Sequence, residues 1–229
     1  MMATVQDYSV LANNPGFTDI EQPVVEQLVS LAQVVELKAG ESLYNQGQLP
    51  TAFYAVLDGT MRLGLTTPEG REFVLAYMSH GLIFGESGFF DHLPMHHGAM
   101  ALTDVRLLIF PNKPIQALLD KQPILYRPLS LLQARRTRIV TEMLTGFSRD
   151  GFERRLARRL LLLAKTYGET VEQGISLQIA QEELGAMLGV TRQSVYKVLK
   201  RWEDSDCVKL EYGALILLDL TALETLATM

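Results

Sequence analysis

The stretch QEELGAMLGVTRQSVYKVLK, residues 181–200, holds the side chains best suited to act on another macromolecule. On a helix that starts after Thr191, Arg192, Gln193, Tyr196, Lys197 and Lys200 share one face, while Val195, Val198, Leu199 and Trp202 share the other. An arginine fork pairs with a guanine edge and a glutamine carboxamide with adenine. Such side chains at the exposed start of a short helix therefore suit a DNA major groove. Thr191 is placed to cap that helix. Ahead of it, Leu184, Leu188 and Val190 are the apolar positions of a preceding helix and its turn, Gly185 is small where the helices approach, and Gly189 permits a left-handed turn between them. A plain helical hairpin with a polar outer face is the alternative. Apolar spacing, turn glycine and cap together favour a helix–turn–helix, with Thr191, Arg192, Gln193, Ser194, Tyr196 and Lys197 as its expected DNA-binding residues. The following VKLEYGALILL, turning at Tyr212–Gly213, reads as a wing.

A second cluster leaves several chemistries open. Three of the four histidines, His92, His96 and His97, lie within six residues, beside Asp91 and Glu86. Such a group could hold a metal or haem, or an anion once protonated; it could equally be a surface loop that carries imidazoles. His96 and His97 are adjacent, so on a strand they face opposite sides, which weighs against a tight three-histidine cage. The cofactor therefore stays unknown. Cys207 is the one cysteine, which excludes an intramolecular disulfide and a cysteine-held iron–sulfur cluster. There is no P-loop, HExxH pair or nucleophile elbow, so an enzyme is not expected. A protein-binding scaffold is a further alternative, but it leaves the exposed face of residues 192–200 without a purpose.

These groups must be positioned by something, and 229 residues, 48% hydrophobic and 21% charged, suffice for one or two folded domains. The net charge of −5 conceals an asymmetry: residues 1–113 carry −7 and residues 114–229 carry +2, with +6 concentrated in residues 133–165. An acidic half joined to a half with a basic stretch hints at two jobs, a polyanion falling to the second; a solvated helix face is the plainer reading. From Val34 to about Phe110 the period is two, and VVELKAGESLY, AFYAVLDGTMRLGL, REFVLAYM and VRLLIF read as strands of an antiparallel sandwich or roll. PGFTDIEQPVVEQLVSLA before them is a helical lead-in. After Pro111 the period turns helical: Pro114–Leu119 is a short helix, and Pro123 suits the first turn of a longer one. Leu125, Leu129, Leu132, Arg136, Ile139 and Met143 then recur at four- and three-residue steps, either the seam of a dimer helix or the face a helix lays on its own domain. Pro128 adds a kink or a late start, and GFSRDG, Gly146–Gly151, reads as a hinge. FERRLARRLLLLAKTYG follows with Phe152, Leu156, Leu160 and Leu163 on one face and Arg154, Arg155, Arg158 and Arg159 mostly elsewhere; Thr221 and Glu224 suggest a capping box for a last helix. The expected domains are residues 1–113, a linker and dimerisation helix over 114–147, and residues 148–229. No membrane-spanning run or secretory signal is visible, so a cytoplasmic protein is expected.

This order of parts resembles the catabolite-activator/fumarate-nitrate-reductase (CRP/FNR) family of bacterial transcription regulators from about Gly16 to Leu220. The sharpest matches are LYNQGQLPTAFYAVLDGTMRL (43–63), FGESGFF (84–90), ARR (134–136) and LGVTRQSVYKVLKRWE (188–203). The resemblance implies an α+β fold: an N-terminal antiparallel β-roll like a cyclic-nucleotide-binding domain, a long dimerisation helix and a C-terminal winged helix–turn–helix. It also implies a homodimer on an inverted repeat of double-stranded DNA, RNA polymerase as partner, and a small-molecule effector sensed by the β-roll. No membrane partner is implied. The effector-binding positions carried over are Leu75, Gly85, Glu86, Ser87, His96, His97, Arg136 and Thr141. The departures matter. Family members that answer cyclic AMP hold its phosphate with an Arg-Ser pair where this chain has His96 and His97, and one of two purine-facing hydroxyls is lost to Val140. A neutral imidazole does not replace a guanidinium fork, so the effector is expected not to be cyclic AMP. A regulator that needs no effector, or one that answers a metal or haem, is the alternative. In the reading helix Gln193 and Lys197 replace the family's usual glutamate and arginine, so the preferred operator should differ.

Overall fold

The structure, a computed structural model, describes residues 10–11, 14, 16–67, 72–149 and 151–228, with the backbone alone for residues 72, 142–143 and 145–149. The chain divides into two compact units, Met1–Leu65 with Met78–Val140 and Thr66–Tyr77 with Thr141–Met229.

In the first half, alternating apolar residues form strands behind a lead-in helix, α1 (Gln22–Ser30). Strands β1 (Gln33–Leu37), β2 (Ser42–Tyr44), β3 (Ala52–Asp58), β4 (Met61–Thr66), β5 (Glu72–Met78) and β6 (Ile83–Phe84) precede a short helix, α2 (Glu86–Asp91); β7 (Gly98–Ala101) and β8 (Val105–Pro111) complete the set. They make two sheets, ordered β1-β8-β3-β6 and β2-β7-β4-β5, in which β1–β8, β8–β3, β3–β6, β2–β7 and β7–β4 pair antiparallel. β3 shows why the pattern works. Its residues 52–57 are all buried because the strand has a core on each face. Phe53, Ala55 and Leu57 join Val25, Leu28, Leu108 and Phe110 beneath the helices. Ala52, Tyr54 and Val56 face the other core with Tyr44, Met61, Phe84 and Leu107. Period two thus sends one strand into two apolar layers.

Helix α3 (Asn112–Lys121) is followed by a 3-10 turn at Pro123–Leu125 and then α4 (Tyr126–Arg149), so Pro123 and Pro128 sit in starting turns rather than at a kink. Leu125 and Leu129 are buried in the unit's own core and Leu132 packs against it, which is the self-packing alternative for the first half of the apolar seam. Further along, Ile139, Val140 and Leu144 are exposed on this chain; the side chain of Met143 lies outside the described residues. The helix also runs on to Arg149, so the expected hinge over Gly146–Gly151 shortens to its last two residues, of which Asp150 lies outside the described residues.

The second unit contains α5 (Phe152–Tyr167), β9 (Glu169–Val171), β10 (Gly174–Leu177), α6 (Gln181–Leu188), α7 (Arg192–Asp204), β11 (Val208–Glu211), β12 (Ala214–Leu217) and α8 (Leu220–Thr228). Its sheet runs β11-β12-β10-β9, and the β9–β10 hairpin is an element the sequence reading did not find. The basic run on α5 proves largely structural. Arg158 Nε donates to the Ala227 carbonyl at 2.8 Å and Arg155 to that of Leu188 at 3.3 Å. Arg159, expected outside, is buried: it donates to the Leu75 carbonyl at 3.0 Å and lies 3.2 Å from Met187 Sδ. That burial lowers the pKa of its guanidinium from the ordinary value. The start of α8 is capped by Asp219, whose carboxylate accepts from Ala222 N at 2.9 Å, rather than by the expected Thr221–Glu224 box. No described helix is long and apolar enough to cross a membrane.

Candidate nucleic-acid interface and sensor site

The reading helix α7 is held by its apolar face. Val195, Val198, Leu199 and Trp202 are buried, as are Leu184 and Leu188 of α6. Gly185 makes the close crossing possible, since a Cβ there would lie 2.8 Å from the Val190 carbonyl and 3.2 Å from Arg192 N. Gly189 turns the chain with φ +68°, a left-handed conformation that glycine adopts without strain. Thr191 Oγ1 accepts from Ser194 N at 3.2 Å and lies 3.0 Å from Ser194 Oγ, so these two hydroxyls serve the cap. What remains outward is Arg192, Gln193, Tyr196 and Lys197, all exposed on one face. Lys200, on the same side, is tied to Glu203 at 2.7 Å. The helix therefore presents two cations, an amide and a phenol on a buried footing, a surface able to donate hydrogen bonds to base edges and phosphates.

In the β-roll, Gly85 ends β6 in a left-handed conformation and places Glu86 at the start of α2. Glu86 is fully buried. Its Oε1 accepts from Arg136 of α4 and, at 3.1 Å, from Gln133 one turn earlier; the second Arg136 nitrogen donates to the Ile83 carbonyl. Among the described residues Glu86 Oε2 has no hydrogen-bond partner. An arginine and a glutamine at i and i−3 share a helix face, so Gln133 could have been found from the spacing to Arg136, but the sequence reading missed it.

The histidines differ in burial, and because residues 96–97 form a bend rather than a strand, the His96 and His97 rings meet edge to face at 4.6 Å instead of facing opposite sides. His97 is buried, with its ring 5.8 Å from Tyr44, whereas His96 and His92 are exposed. Nδ1 of His97 lies 3.2 Å from the Gly98 carbonyl and 3.4 Å from the Tyr44 hydroxyl. Burial, and secondarily His96 beside it, push the His97 pKa down to about 4, leaving the ring neutral at pH 7. Tyr44, another residue the sequence reading passed over, stacks on Tyr54 at 5.5 Å, and burial raises its pKa. Ser87 is half-buried beside Glu86. Leu75 and Thr141 belong to the other compact unit. Among the described residues no three His, Cys, Asp or Glu side chains come together as a metal site, and His92, His96 and His97 are not brought to one point.

Comparison with known proteins agrees with this division of labour. Residues 34–122 match the cyclic nucleotide-binding domain and residues 154–226 the Crp-like helix-turn-helix domain. The chain is 26% identical over 213 residues to a CRP-like cAMP-activated global transcriptional regulator of Mycobacterium tuberculosis, covering 92% of this chain and 95% of that one. It is 29% identical over 219 residues to a cyclic AMP receptor protein of Thermus thermophilus, covering 95% and 98%. A crystal structure of a CRP/FNR-family transcriptional regulator from Thermus thermophilus superposes with a TM-score of 0.70 at 30% identity, over 86% of this chain and 99% of that one.

Proposed function

Because the chain belongs to the CRP/FNR family of transcriptional regulators, which are not enzymes, we propose that it is a homodimeric, sequence-specific DNA-binding regulator acting in the cytoplasm. It reads an inverted repeat through one α7 per half-site and engages RNA polymerase from the bound DNA. The observation that carries this reading is the capped α7 with Arg192, Gln193, Tyr196 and Lys197 exposed over a fully buried apolar face. Arg192→Ala should cost roughly 1–3 kcal/mol on the selected site and little on random duplex. Gln193→Glu should move the preference at one base pair from adenine towards cytosine. Selection of binding sites from a random pool by each variant measures both, and unchanged selection would assign the reading to another element.

The effector we propose is not cyclic AMP, although relatives carry that nucleotide in their names. A neutral His97 and an exposed His96 stand where a phosphate-binding Arg-Ser pair is implied by the family pattern. Losing a charge-assisted contact of that kind costs about 1.5–3 kcal/mol, a factor of roughly ten to over a hundred. Isothermal titration at pH 8 and pH 6 should show no micromolar binding of cyclic AMP or cyclic GMP, and the lower pH should not rescue it, because His97 does not charge until about pH 4. Micromolar binding at pH 8 would overturn the reading. The bond from Arg136 to Glu86 also favours a second possibility, a regulator that needs no effector: Arg136 already fastens α4 to Glu86 and to the Ile83 carbonyl from within the chain.

A further inference from the structure

We propose that Glu203 and Glu153 are specificity-determining residues of the reading head: they hold Lys200 and Arg201 away from phosphate, so that DNA affinity rests on the base-reading start of α7. This rests on the DNA-reading role of α7. Four cations lie along that helix, Arg192, Lys197, Lys200 and Arg201. Arg192 and Lys197, towards its start, are exposed. Lys200 follows Tyr196 by one turn and Arg201 follows Lys197 by one turn, so both continue the outer surface towards the C-terminal end. A reading helix makes its base contacts from N-terminal residues. Cations further along are left to the sugar-phosphate backbone, where they would hold any sequence alike.

Here both of those cations are already paired within the chain. Glu203 Oε2 takes the Lys200 ammonium at 2.7 Å, and an Asp204 oxygen lies 3.9 Å from the same nitrogen. Glu153, in the first turn of α5, accepts from Arg201. Glu203 cannot swing away with its lysine, because its Oε1 accepts from Leu210 N at 2.8 Å. Their mutual hydrogen bond raises the Lys200 pKa and lowers that of Glu203, so the pair is charged at neutral pH. An exposed ion pair is weak, at most about fivefold in an equilibrium, yet a cation must give it up before it displaces a counterion from DNA. The carboxylate left behind would then face the phosphates and repel them. Two of the four cations are thus withheld from the sequence-independent share of binding.

Fluorescence anisotropy on the selected site and on random duplex, between about 50 and 200 mM salt, measures that share. Glu203→Gln keeps an acceptor for Leu210 N and frees Lys200. It should tighten random duplex by about threefold per half-site and steepen the log–log salt slope by about 0.9 per half-site, one more phosphate neutralised. The selected site should gain less, because base contacts by Arg192 and Gln193 already fix the pose of the helix. Glu153→Gln should act in the same direction through Arg201. A merely structural role for either carboxylate gives the opposite sign, since a loosened head binds more weakly. Adding Lys200→Ala to Glu203→Gln should return the slope to that of the parent, whereas Lys200→Ala alone should leave the slope as it is. An unchanged or shallower slope in the glutamine variants overturns the proposal. So does an equal gain on the two duplexes, or a slope lost through Lys200→Ala alone. If Arg192→Ala abolishes selection while Glu203→Gln and Glu153→Gln change nothing, the withheld cations are wrong and the role of α7 stands. If Arg192→Ala leaves selection unaltered, the underlying reading falls first.

Discussion

Lysine in place of both Ile139 and Leu144 is expected to leave the protein monomeric and to weaken its operator binding by at least a hundredfold. On the single chain Ile139 is 37% and Leu144 64% exposed, with Val140 at 54% between them, on the part of α4 beyond the residues that pack the β-roll core. Burying a leucine or isoleucine side chain fully contributes about 1.5–3 kcal/mol. Two such residues from each of two helices supply on the order of 5 kcal/mol to a symmetric interface even when burial is partial, and four lysines there would also repel. A dimer of nanomolar stability would fall to about 10 micromolar or weaker, and a palindrome would then be read one half-site at a time. Leu125 and Leu129 are unsuitable for the test, because their replacement would open the core of the first unit rather than an interface. Sedimentation of the double variant decides: a dimer that persists at micromolar concentration removes α4 from the interface.

The same helix shows what a sequence can and cannot disclose. A period of three and four residues reports that one face is apolar, and the face is real, but periodicity is silent on which surface covers it. Here the first half is covered by the protein's own β-roll, whereas Ile139, Val140 and Leu144 further along are exposed among the described residues. The helix–turn–helix was legible almost residue by residue. Its signals are local: a glycine at the crossing, a left-handed glycine, a threonine cap and a buried stripe all act within twenty residues of one another. The arginines of α5 were not legible, since whether a guanidinium faces solvent or the Ala227, Leu188 and Leu75 carbonyls depends on residues far along the chain. The residues around Glu86 lie between these extremes. Glu86 and Arg136 could be named, but their mutual bond, and the different fates of His96 and His97, are long-range facts.

His97 gives the other large expected effect, a loss of stability in acid with a defined window. Its pKa lies at about 4 in the folded protein against an ordinary imidazole value of about 6.5, chiefly because burial opposes the charged ring. Above about pH 6.5 the ring is neutral in both states and its contribution to stability is intact. As the pH falls from there towards 4, the unfolded chain takes up a proton that the folded chain refuses, so folding loses ground at about 1.4 kcal/mol per pH unit. The full loss, about 3 kcal/mol, is reached once the folded ring also protonates, and further acid adds nothing through this group. Trp202, the chain's one tryptophan, sits in the second unit, so the first unit is best followed by hydrogen exchange at the β3 and β8 amides in urea between pH 7.5 and pH 4. His97→Gln cannot take up the proton but can still donate to the Gly98 carbonyl, so its stability should fall less steeply across that interval, by a difference approaching 3 kcal/mol. Parallel curves for the two proteins would mean that His97 charges freely in the fold. The proposal that a neutral His97 offers no charge to a phosphate would then fail with it, and an acidic effector held by a protonated His97 would become the better reading.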